Sequence, residues 1–200
     1  MSIQDIIRLS ELLGEMGHVK RATKLPNHED ESDSHHSFSL ALVSYHIATA
    51  ECPELDANKV MLFALCHDLL EIITGDENTL YYTPEQHAAK HAKEQQALGE
   101  FDEVFANYPE LKQAMYEYEK LDTPEAAMVF VLDKASTTWT HHPHAAKYAR
   151  ANNIHSKADV EAWADRQRNK IKARLRVMPP ATVMDIYERS FAILKELYDD

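Results

Sequence analysis

The chain has 200 residues, enough to bury a core within one domain, and its 44% hydrophobic and 27% charged residues are ordinary for a globular protein. Its formal net charge of −12 argues against binding to the phosphate backbone of nucleic acids, so no nucleic acid polymer is expected as a partner. The four glycines, Gly14, Gly17, Gly75 and Gly99, exclude a P-loop and a dinucleotide-binding glycine motif.

The sequence also lacks the marks of secretion and of membrane insertion. No apolar stretch approaches the roughly 18 residues of a membrane span, and the first residues, MSIQDIIRLSELL, contain no signal-peptide pattern. The two cysteines, Cys52 and Cys66, do not resemble a secreted disulfide framework, and we interpret both as reduced thiols. We therefore expect a cytoplasmic protein without a membrane partner.

Apolar residues recur at helical spacing along most of the chain, and no run alternates in the manner of a strand. The first helix is predicted over Ile3–Met16. The polar segment 18–34 has no clear periodicity, and we expect a long irregular connection of the kind that is more often functional than idle. The second helix is predicted to begin near His36, with Ser34 as its N-cap, and to end before Pro53.

Further helices follow in the second half of the chain. They are predicted over Asp56–Ile73, from Thr83 to about Asn107, over Pro109–Lys120, from Asp122 through Asp133, over Lys157–Val177, and from beyond Pro180 to Tyr198. Asp56 and Thr83 are the predicted N-caps of the first two of these helices. We expect His141, His142 and His144 in a surface turn, with a contribution to the rim of the pocket as the alternative. His87 and His91 stand four residues apart, at metal-ligand spacing, but their polar surroundings favour a solvated helix face. The predicted fold class is all-α, as a single-domain helical bundle.

The stretch Met61–Asp76, MLFALCHDLLEIITGD, carries three polar residues within an apolar run. On a continuous helix, Glu71 would follow His67 by four residues and Asp68 by three, which places the three side chains close together on one surface. Because the apolar neighbours would bury most of this helix, the polar groups must be satisfied there. A bound metal ion is one good way to satisfy them.

Imidazole and carboxylate groups are the ligands that zinc and other borderline divalent metals take, usually from elements far apart in sequence. The candidates that lie in or beside apolar segments are His36, His67, Asp68 and Asp133. A His-Asp dipeptide alone is expected about once by chance in a chain of this composition. A histidine bonded to a carboxylate, without metal, is therefore the alternative interpretation.

The order His36, then His67-Asp68, then Asp133 resembles the HD-domain metal-dependent phosphohydrolases, which are all-helical. Within that family, HHSFSLALVSYHIA and LFALCHDLLEIITGD resemble the 5′-deoxynucleotidase branch, which shows an E-H-S start to one helix and an H-D-x-x-E-x-x-T-G-D block in the next. The small phage-type dATP triphosphohydrolases are close to this branch. The resemblance covers roughly Val19–Trp139.

The resemblance implies a role for each matching residue. The metal ligands would be His36, His67, Asp68 and Asp133, binding a divalent ion such as Zn, Co, Mn or Mg. Glu71 would orient or deprotonate the attacking water, and Asp76 would assist near the leaving group or help to hold a second ion. Arg21 stands fifteen residues before His36, where the branch has an arginine that contacts phosphate. Lys24, Lys90 and Lys134 are further candidates for contacting the substrate.

Two positions depart from the pattern of the branch. His35 occupies the place where glutamate is usual, and Ala22 occupies the place of an aromatic residue that senses the missing 2′-hydroxyl. We predict a 5′-deoxynucleotidase that releases phosphate from a deoxynucleoside monophosphate. The alternatives are a dNTP triphosphohydrolase of the dATP type and a non-catalytic helical protein that binds a metal or a nucleotide. The resemblance also implies a homo-oligomer.

Overall fold

The computed structural model describes residues 2–25, 27, 29–79, 81–140 and 145–199, the side chain of Pro84 excepted. In those residues the chain forms ten helices and one two-stranded antiparallel sheet, so the predicted all-α class is confirmed. The surface turn predicted at His141, His142 and His144 lies outside the described residues.

The elements are named in chain order. They are α1 (Ile3–Met16), β1 (Lys20–Lys24), β2 (Asp30–Ser32), α2 (Asp33–Glu51), α3 (Ala57–Cys66), α4 (Glu71–Thr74), α5 (Pro84–Val104), α6 (Pro109–Glu119), α7 (Pro124–Trp139), α8 (Ala145–Ala151), α9 (Lys157–Arg174) and α10 (Ala181–Glu196).

Polar side chains fix the starts of several helices. Ser2, Thr83 and Ser156 each form a capping box. In each box the capping side chain accepts a hydrogen bond from the backbone N–H three residues later, and the side chain of that later residue accepts one from the backbone N–H of the capping residue. Asp56 caps α3 by accepting from the backbone N–H groups of Asn58 and Lys59, at 3.0 and 3.2 Å. The caps predicted at Thr83 and Asp56 are confirmed.

Helix α7 lies at the centre of the core. The side chains from Ala126 to Leu132 are all buried, on every face of the helix. Helices α2, α3, α6, α8, α9 and α10 pack against α7. Asp133 directly follows this apolar run, so its carboxylate lies inside the protein and needs a nearby positive charge or hydrogen-bond donor.

The prediction of an irregular connection over 18–34 is wrong, because β1 and β2 pair there as an antiparallel hairpin. Two side chains of β1, those of Arg21 and Thr23, contact the carboxylate of Glu31 on β2. The register is irregular between Lys20 and Lys24. Neither strand shows the apolar alternation from which a strand is predicted, so the sequence carries no pattern for it.

The prediction of one continuous helix over Asp56–Ile73 is also wrong. Helix α3 ends at Cys66, and the chain winds through a tighter turn before α4 begins at Glu71. In this turn the backbone N–H groups bond to carbonyls three residues back, as Glu71 does to Asp68 at 2.9 Å. Glu71 therefore does not lie on the same helical surface as His67.

Smaller differences concern helix ends. The N-cap of α2 is Ser32 rather than Ser34, because the Ser32 hydroxyl accepts from the backbone N–H of His35 at 3.3 Å. Helix α5 ends at Val104 rather than near Asn107, and α8 was not predicted at all. Starting α2 at Asp33 places a further carboxylate in its first turn.

The two cysteines are buried and free, in agreement with their interpretation as reduced thiols. None of the helices in the described ranges combines the length and the apolar character that a bilayer-spanning segment needs.

The core predicts a clear stability difference between two positions of α10. Phe191 is buried, with its ring edge-on to Trp163 at 5.1 Å between centroids, whereas Ile193 on the same helix is exposed. Phe191→Ala should lower the free energy of unfolding by about 3–5 kcal/mol, because it leaves a cavity. Ile193→Ala should change it by roughly 0.5 kcal/mol or less. Urea unfolding measures both; equal losses would contradict this description of the core.

Candidate metal centre

Three helices bring two histidines and an aspartate together. His36 lies in the first turn of α2, His67 directly follows α3, and Asp133 lies in the second half of α7. Because α2, α3 and α7 pack against one another, one ligand atom from each of these residues lies within 4.8 Å of the other two. His36 Nε2 is 3.0 Å from Asp133 Oδ1.

The orientation of the two imidazoles suits metal binding. His67 Nδ1 lies 2.8 Å from the backbone carbonyl oxygen of Ala64, so Nδ1 donates to it and Nε2 is the ring atom that faces the group. The Nε2 atoms of His36 and His67 are both buried, and each lies 3.0 Å from a carboxylate oxygen, of Asp133 and of Asp68 respectively, without the angles of a regular hydrogen bond. A metal ion bound by each nitrogen and its neighbouring oxygen would satisfy both. The residues present therefore fit a divalent cation.

Nearby positive charge keeps Asp133 and Asp68 ionised. Burial opposes ionisation of Asp133, but Lys134, whose Nζ is 2.5 Å from Oδ2, and His36 together hold the pKa of this carboxyl well below its usual range. Burial also opposes ionisation of Asp68, and there His67 and Arg21 hold the pKa below its usual range. Both groups are therefore carboxylates at neutral pH, the form that binds metal.

Asp68, the fourth predicted ligand, lies beside this group rather than within it. Its Oδ2 is 3.0 Å from His67 Nε2 and 3.2 Å from Arg21 Nη1. Asp68 belongs instead to a second group with Asp33 and Glu71. Within the described residues, one carboxylate oxygen from each of these three lies within 4.8 Å of the other two. Asp68 therefore lies between two groups of potential ligands.

The two residues predicted to be catalytic, Glu71 and Asp76, line one cleft together with Asp68, Asp133 and Arg21. Burial, followed by the negative charges of Asp68 and Asp76, raises the pKa of Glu71 to about 11. Burial also raises the pKa of Asp76, although Arg21 opposes the shift. A raised pKa lets a carboxyl group hold a proton at neutral pH and donate it to a reacting oxygen.

Arg21 reaches the centre from β1. Its guanidinium lies 3.2 Å from Asp68 Oδ2, 3.4 Å from Glu31 Oε2 and 3.9 Å from Asp133 Oδ1, and its side chain is mostly buried. These carboxylates outweigh the effect of burial and raise the pKa of Arg21 above its usual value. The hairpin thus supplies a fixed positive charge to the anionic end of the cleft.

The three candidate lysines have different positions. Lys90 and Lys134 line the cleft, where Lys90 pairs with Glu94 at 2.9 Å. Lys24 is not among the described residues that line the cleft, and it pairs with Asp30 at the end of the hairpin. Its role as a substrate contact stays a prediction without support from position.

Two buried acidic residues of the site, Glu31 and Asp33, were missed from the sequence. Both belong to the segment expected to be irregular, and the acidic run there was not connected with the metal ligands. One signal was available for Asp33, since it precedes His36 by three residues and so shares a face of α2 with it.

The other end of the cleft is formed by α8 and α9. Its wall includes the rings of Tyr148 and Trp163 and the polar side chains of Gln167 and Lys170. Trp163 Nε1 and Gln167 Oε1 are buried and have no hydrogen-bond partner among the described residues. The cleft therefore joins an anionic end, at the candidate metal centre, to an end with aromatic and amide groups.

Together, the fold and the site define an all-helical protein whose central helices hold a candidate centre for a divalent metal. The chain belongs to the HD domain family: the model of that family, described as an HD domain, matches residues 13–175. This agrees with the family resemblance seen in the sequence.

The chain is also similar to a solved structure, the "predicted metal-dependent phosphohydrolase" from Magnetospirillum magnetotacticum MS-1. The two share 17% sequence identity and superpose with a TM-score of 0.65, over 98% of this chain and 97% of the other. At that identity the likeness establishes a shared fold. No curated protein sequence matches the chain.

The geometry predicts which histidines hold metal. His36→Ala and His67→Ala should each reduce tightly bound Zn²⁺ or Co²⁺ to roughly a tenth of the wild-type content or less, because each removes one of three close ligands. His91→Ala is the matched control, since the His91 side chain is 72% exposed on α5. Elemental analysis after gel filtration measures the content. Full occupancy in both ligand variants would refute the assignment.

Proposed function

We propose that the protein is a metal-dependent phosphohydrolase acting on a nucleotide, with a deoxynucleoside monophosphate as the first candidate substrate and orthophosphate as the product. The observation that carries the proposal is the group of His36, His67 and Asp133, with ligand atoms within 4.8 Å of one another beside a cleft. Membership of the HD domain family supports it, as does the structural similarity to the predicted metal-dependent phosphohydrolase from Magnetospirillum magnetotacticum MS-1.

A divalent ion held by His36, His67 and Asp133, with Asp68 beside them, would polarise a phosphoryl oxygen and lower the pKa of a coordinated water. Zn, Co, Mn and Mg are the candidates, and the two imidazoles in the set favour the borderline metals Zn and Co.

The basic side chains of the cleft supply what an anionic substrate needs. The net charge of −12 repels a nucleotide at long range, so local positive charge must overcome it. Arg21, Lys90 and Lys134 all line the cleft. The fork of N–H groups on Arg21 suits phosphoryl oxygens, and this arginine is already aimed at the anionic end by Asp68 and Glu31.

Glu71 and Asp76, the two carboxyl groups with raised pKa values, have different roles in the reaction. Glu71 lies close enough to Asp68 for the charge of Asp68 to raise its pKa, and its place in the cleft allows it to orient the attacking water by hydrogen bonds. Asp76, also in the cleft and also with a raised pKa, is suited to protonate the leaving oxygen.

The far end of the cleft supports a nucleoside as the rest of the substrate. Tyr148 and Trp163 offer aromatic surface, and Trp163 Nε1 and Gln167 Oε1 offer a donor and an acceptor without partners among the described residues. A nucleobase has a flat ring with donors and acceptors at its edge, so it matches this combination. Ala22 also lines the cleft. Its small side chain leaves the selectivity for deoxyribose to other residues.

A nucleoside triphosphate is the second candidate, because of one further cation in the cleft. Lys170 has no ion-pair partner in the described part of the chain, and burial, followed by the positive charges of Lys134 and Arg166, lowers its pKa. Cations that lie close enough to repel one another favour an anion between them, even though Lys134 also pairs with Asp133 at 2.5 Å. Lys134 and Lys170 both line the cleft and would suit additional phosphate groups.

The test is product analysis with purified protein, added Co²⁺ or Mn²⁺, and a panel of ribo- and deoxynucleoside mono- and triphosphates. Orthophosphate from a monophosphate supports the first candidate, and inorganic triphosphate from a triphosphate supports the second. Release of neither product from any nucleotide would overturn the proposal in favour of a non-catalytic binding protein.

A variant ties the activity to the site. Glu71→Gln should lower kcat by roughly 10²- to 10⁴-fold, because an amide cannot exchange a proton with the reacting oxygens. The tight metal should stay, since Glu71 is not part of the His36, His67 and Asp133 group. Glu100→Gln, on an exposed position of α5, is the control and should leave kcat unchanged. Equal activity of both variants would contradict the assigned role.

We further propose that the protein is a cytoplasmic homo-oligomer. Phe38, Leu42 and Tyr45 form an exposed apolar stripe on α2, with Leu62 and Leu65 exposed on the adjacent α3. Apolar side chains gathered on one exposed face support association of subunits. The free, buried cysteines support a reducing compartment.

A further inference from the structure

The wall that α9 contributes to the cleft carries two buried polar atoms without hydrogen-bond partners. Trp163 Nε1 and Gln167 Oε1 are both buried, and neither bonds to any group in the described part of the chain. Both side chains line the cleft, and Trp163 is only 9% exposed. A buried donor or acceptor without a partner is rare and costly in a folded protein. The two atoms therefore call for a bound group that enters the cleft.

Helix α9 presents these groups along one face. Gln167 follows Trp163 by four residues, and Lys170 follows Gln167 by three, so the three side chains form one row along the helix, and all of them line the cleft. The ring of Trp163 packs edge-on against Phe191 of α10, at 5.1 Å between centroids. This packing holds the indole N–H in a fixed place, with the carboxamide of Gln167 one helical turn away.

The row also has a direction relative to the proposed reacting groups. Lys170 Nζ lies 3.3 Å from Thr79 Oγ1, and Thr79 belongs to the segment that directly follows Asp76. Lys170 is therefore the member of the row at the end where phosphate is expected. At 1.5 Å per residue, Trp163 lies roughly 10 Å further along the axis of α9. A ligand whose phosphate lies near Asp76 would extend along α9 and reach Gln167 and Trp163 with its other end.

The chemistry of the two side chains defines the ligand that they suit. The indole N–H of Trp163 can only donate, so it needs an acceptor on the ligand. The carboxamide of Gln167 has an accepting oxygen and a donating NH₂ group, and rotation of the amide exchanges their places. The apolar side chains of Ala149, Ile154 and Leu194 also line the cleft. This combination suits a flat heterocycle with a donor and an acceptor on neighbouring atoms, and nucleobases have such an edge.

We propose that Trp163 and Gln167 are specificity-determining residues that recognise the hydrogen-bonding edge of a nucleobase. Trp163 Nε1 donates to an acceptor of the base, and the amide of Gln167 pairs with the group beside that acceptor. Both residues lie beyond Val19–Trp139, so the family resemblance gives neither of them a role. The proposal rests on the proposed function for the identity of the ligand as a nucleotide. Because the amide can rotate, the pair requires such an edge without dictating which natural base carries it.

Calorimetric titration with two nucleosides tests the recognition of the base. Nucleosides contain no phosphate, so binding is measured on the Co²⁺-loaded protein without turnover. Deoxyadenosine and purine deoxyriboside differ only in the exocyclic amine of the base. Wild-type protein should bind deoxyadenosine roughly 10-fold or more tightly, because the analogue without the amine leaves the oxygen of Gln167 buried and without a donor.

Gln167→Leu is the decisive variant, because it removes the amide and leaves a side chain of similar size. The variant should bind the two nucleosides with affinities within about 3-fold of each other, since no group remains to contact the amine. Asn169→Leu is the matched control: Asn169 is exposed on the same helix, and this variant should keep the wild-type preference for deoxyadenosine. A Gln167→Leu variant with the full wild-type preference would overturn the role of Gln167.

Trp163→Phe supplies the second measurement and decides the outcome if Gln167→Leu does not fold, as thermal unfolding shows. It keeps an aromatic ring and removes the N–H, so it should weaken both nucleosides by roughly 5- to 10-fold. Unchanged affinities in this variant, or wild-type protein that binds neither nucleoside or both equally, would overturn the proposal and leave the two polar atoms to water. Because nucleosides are not hydrolysed, a failed phosphohydrolase assay would leave this result unaffected.

Discussion

Carboxylates buried around one cleft must be matched by positive charge, and this requirement governs the arrangement of the rest of the site. Asp33 and Asp133 are almost completely buried where helices α2, α3 and α7 pack against one another. Removing an unpaired charge from water costs several kcal/mol. Arg21 on the hairpin and Lys134 beside Asp133 supply part of the compensation. A metal ion bound between the two imidazoles and the carboxylates of Asp133 and Asp68 would supply more.

Two parts of the chain outside the regular helices, the hairpin and the turn after α3, position Arg21 and His67. The hairpin of β1 and β2 carries Arg21 to the anionic end of the cleft, where it meets Asp68 from the turn after α3. The tight turn between Cys66 and Glu71 directs His67 toward α2 and α7, while Glu71 faces the cleft. A straight helix would place both groups on one surface, whereas in the structure the candidate metal ligand His67 and the carboxyl of Glu71 belong to two different groups of potential ligands.

The sequence predicted the all-α class because apolar spacing and capping residues such as Thr83 and Asp56 are local signals. It also pointed to His36, His67 and Asp133, because a family pattern fixes their order along the chain. It could not predict the end of α3, since apolar residues continue at helical spacing through Leu69, Ile72 and Ile73. The hairpin was missed because its strands carry polar side chains that contact one another and show no apolar alternation.

The central claim is that two imidazoles from separate helices, with carboxylate oxygen, hold one divalent ion. X-ray absorption spectroscopy of protein loaded with one equivalent of Co²⁺ tests it most directly. We expect scattering from two imidazole rings and from oxygen ligands, at roughly 2.0–2.2 Å from the ion. Scattering from sulfur, or from fewer than two imidazoles, would contradict the assignment of His36 and His67.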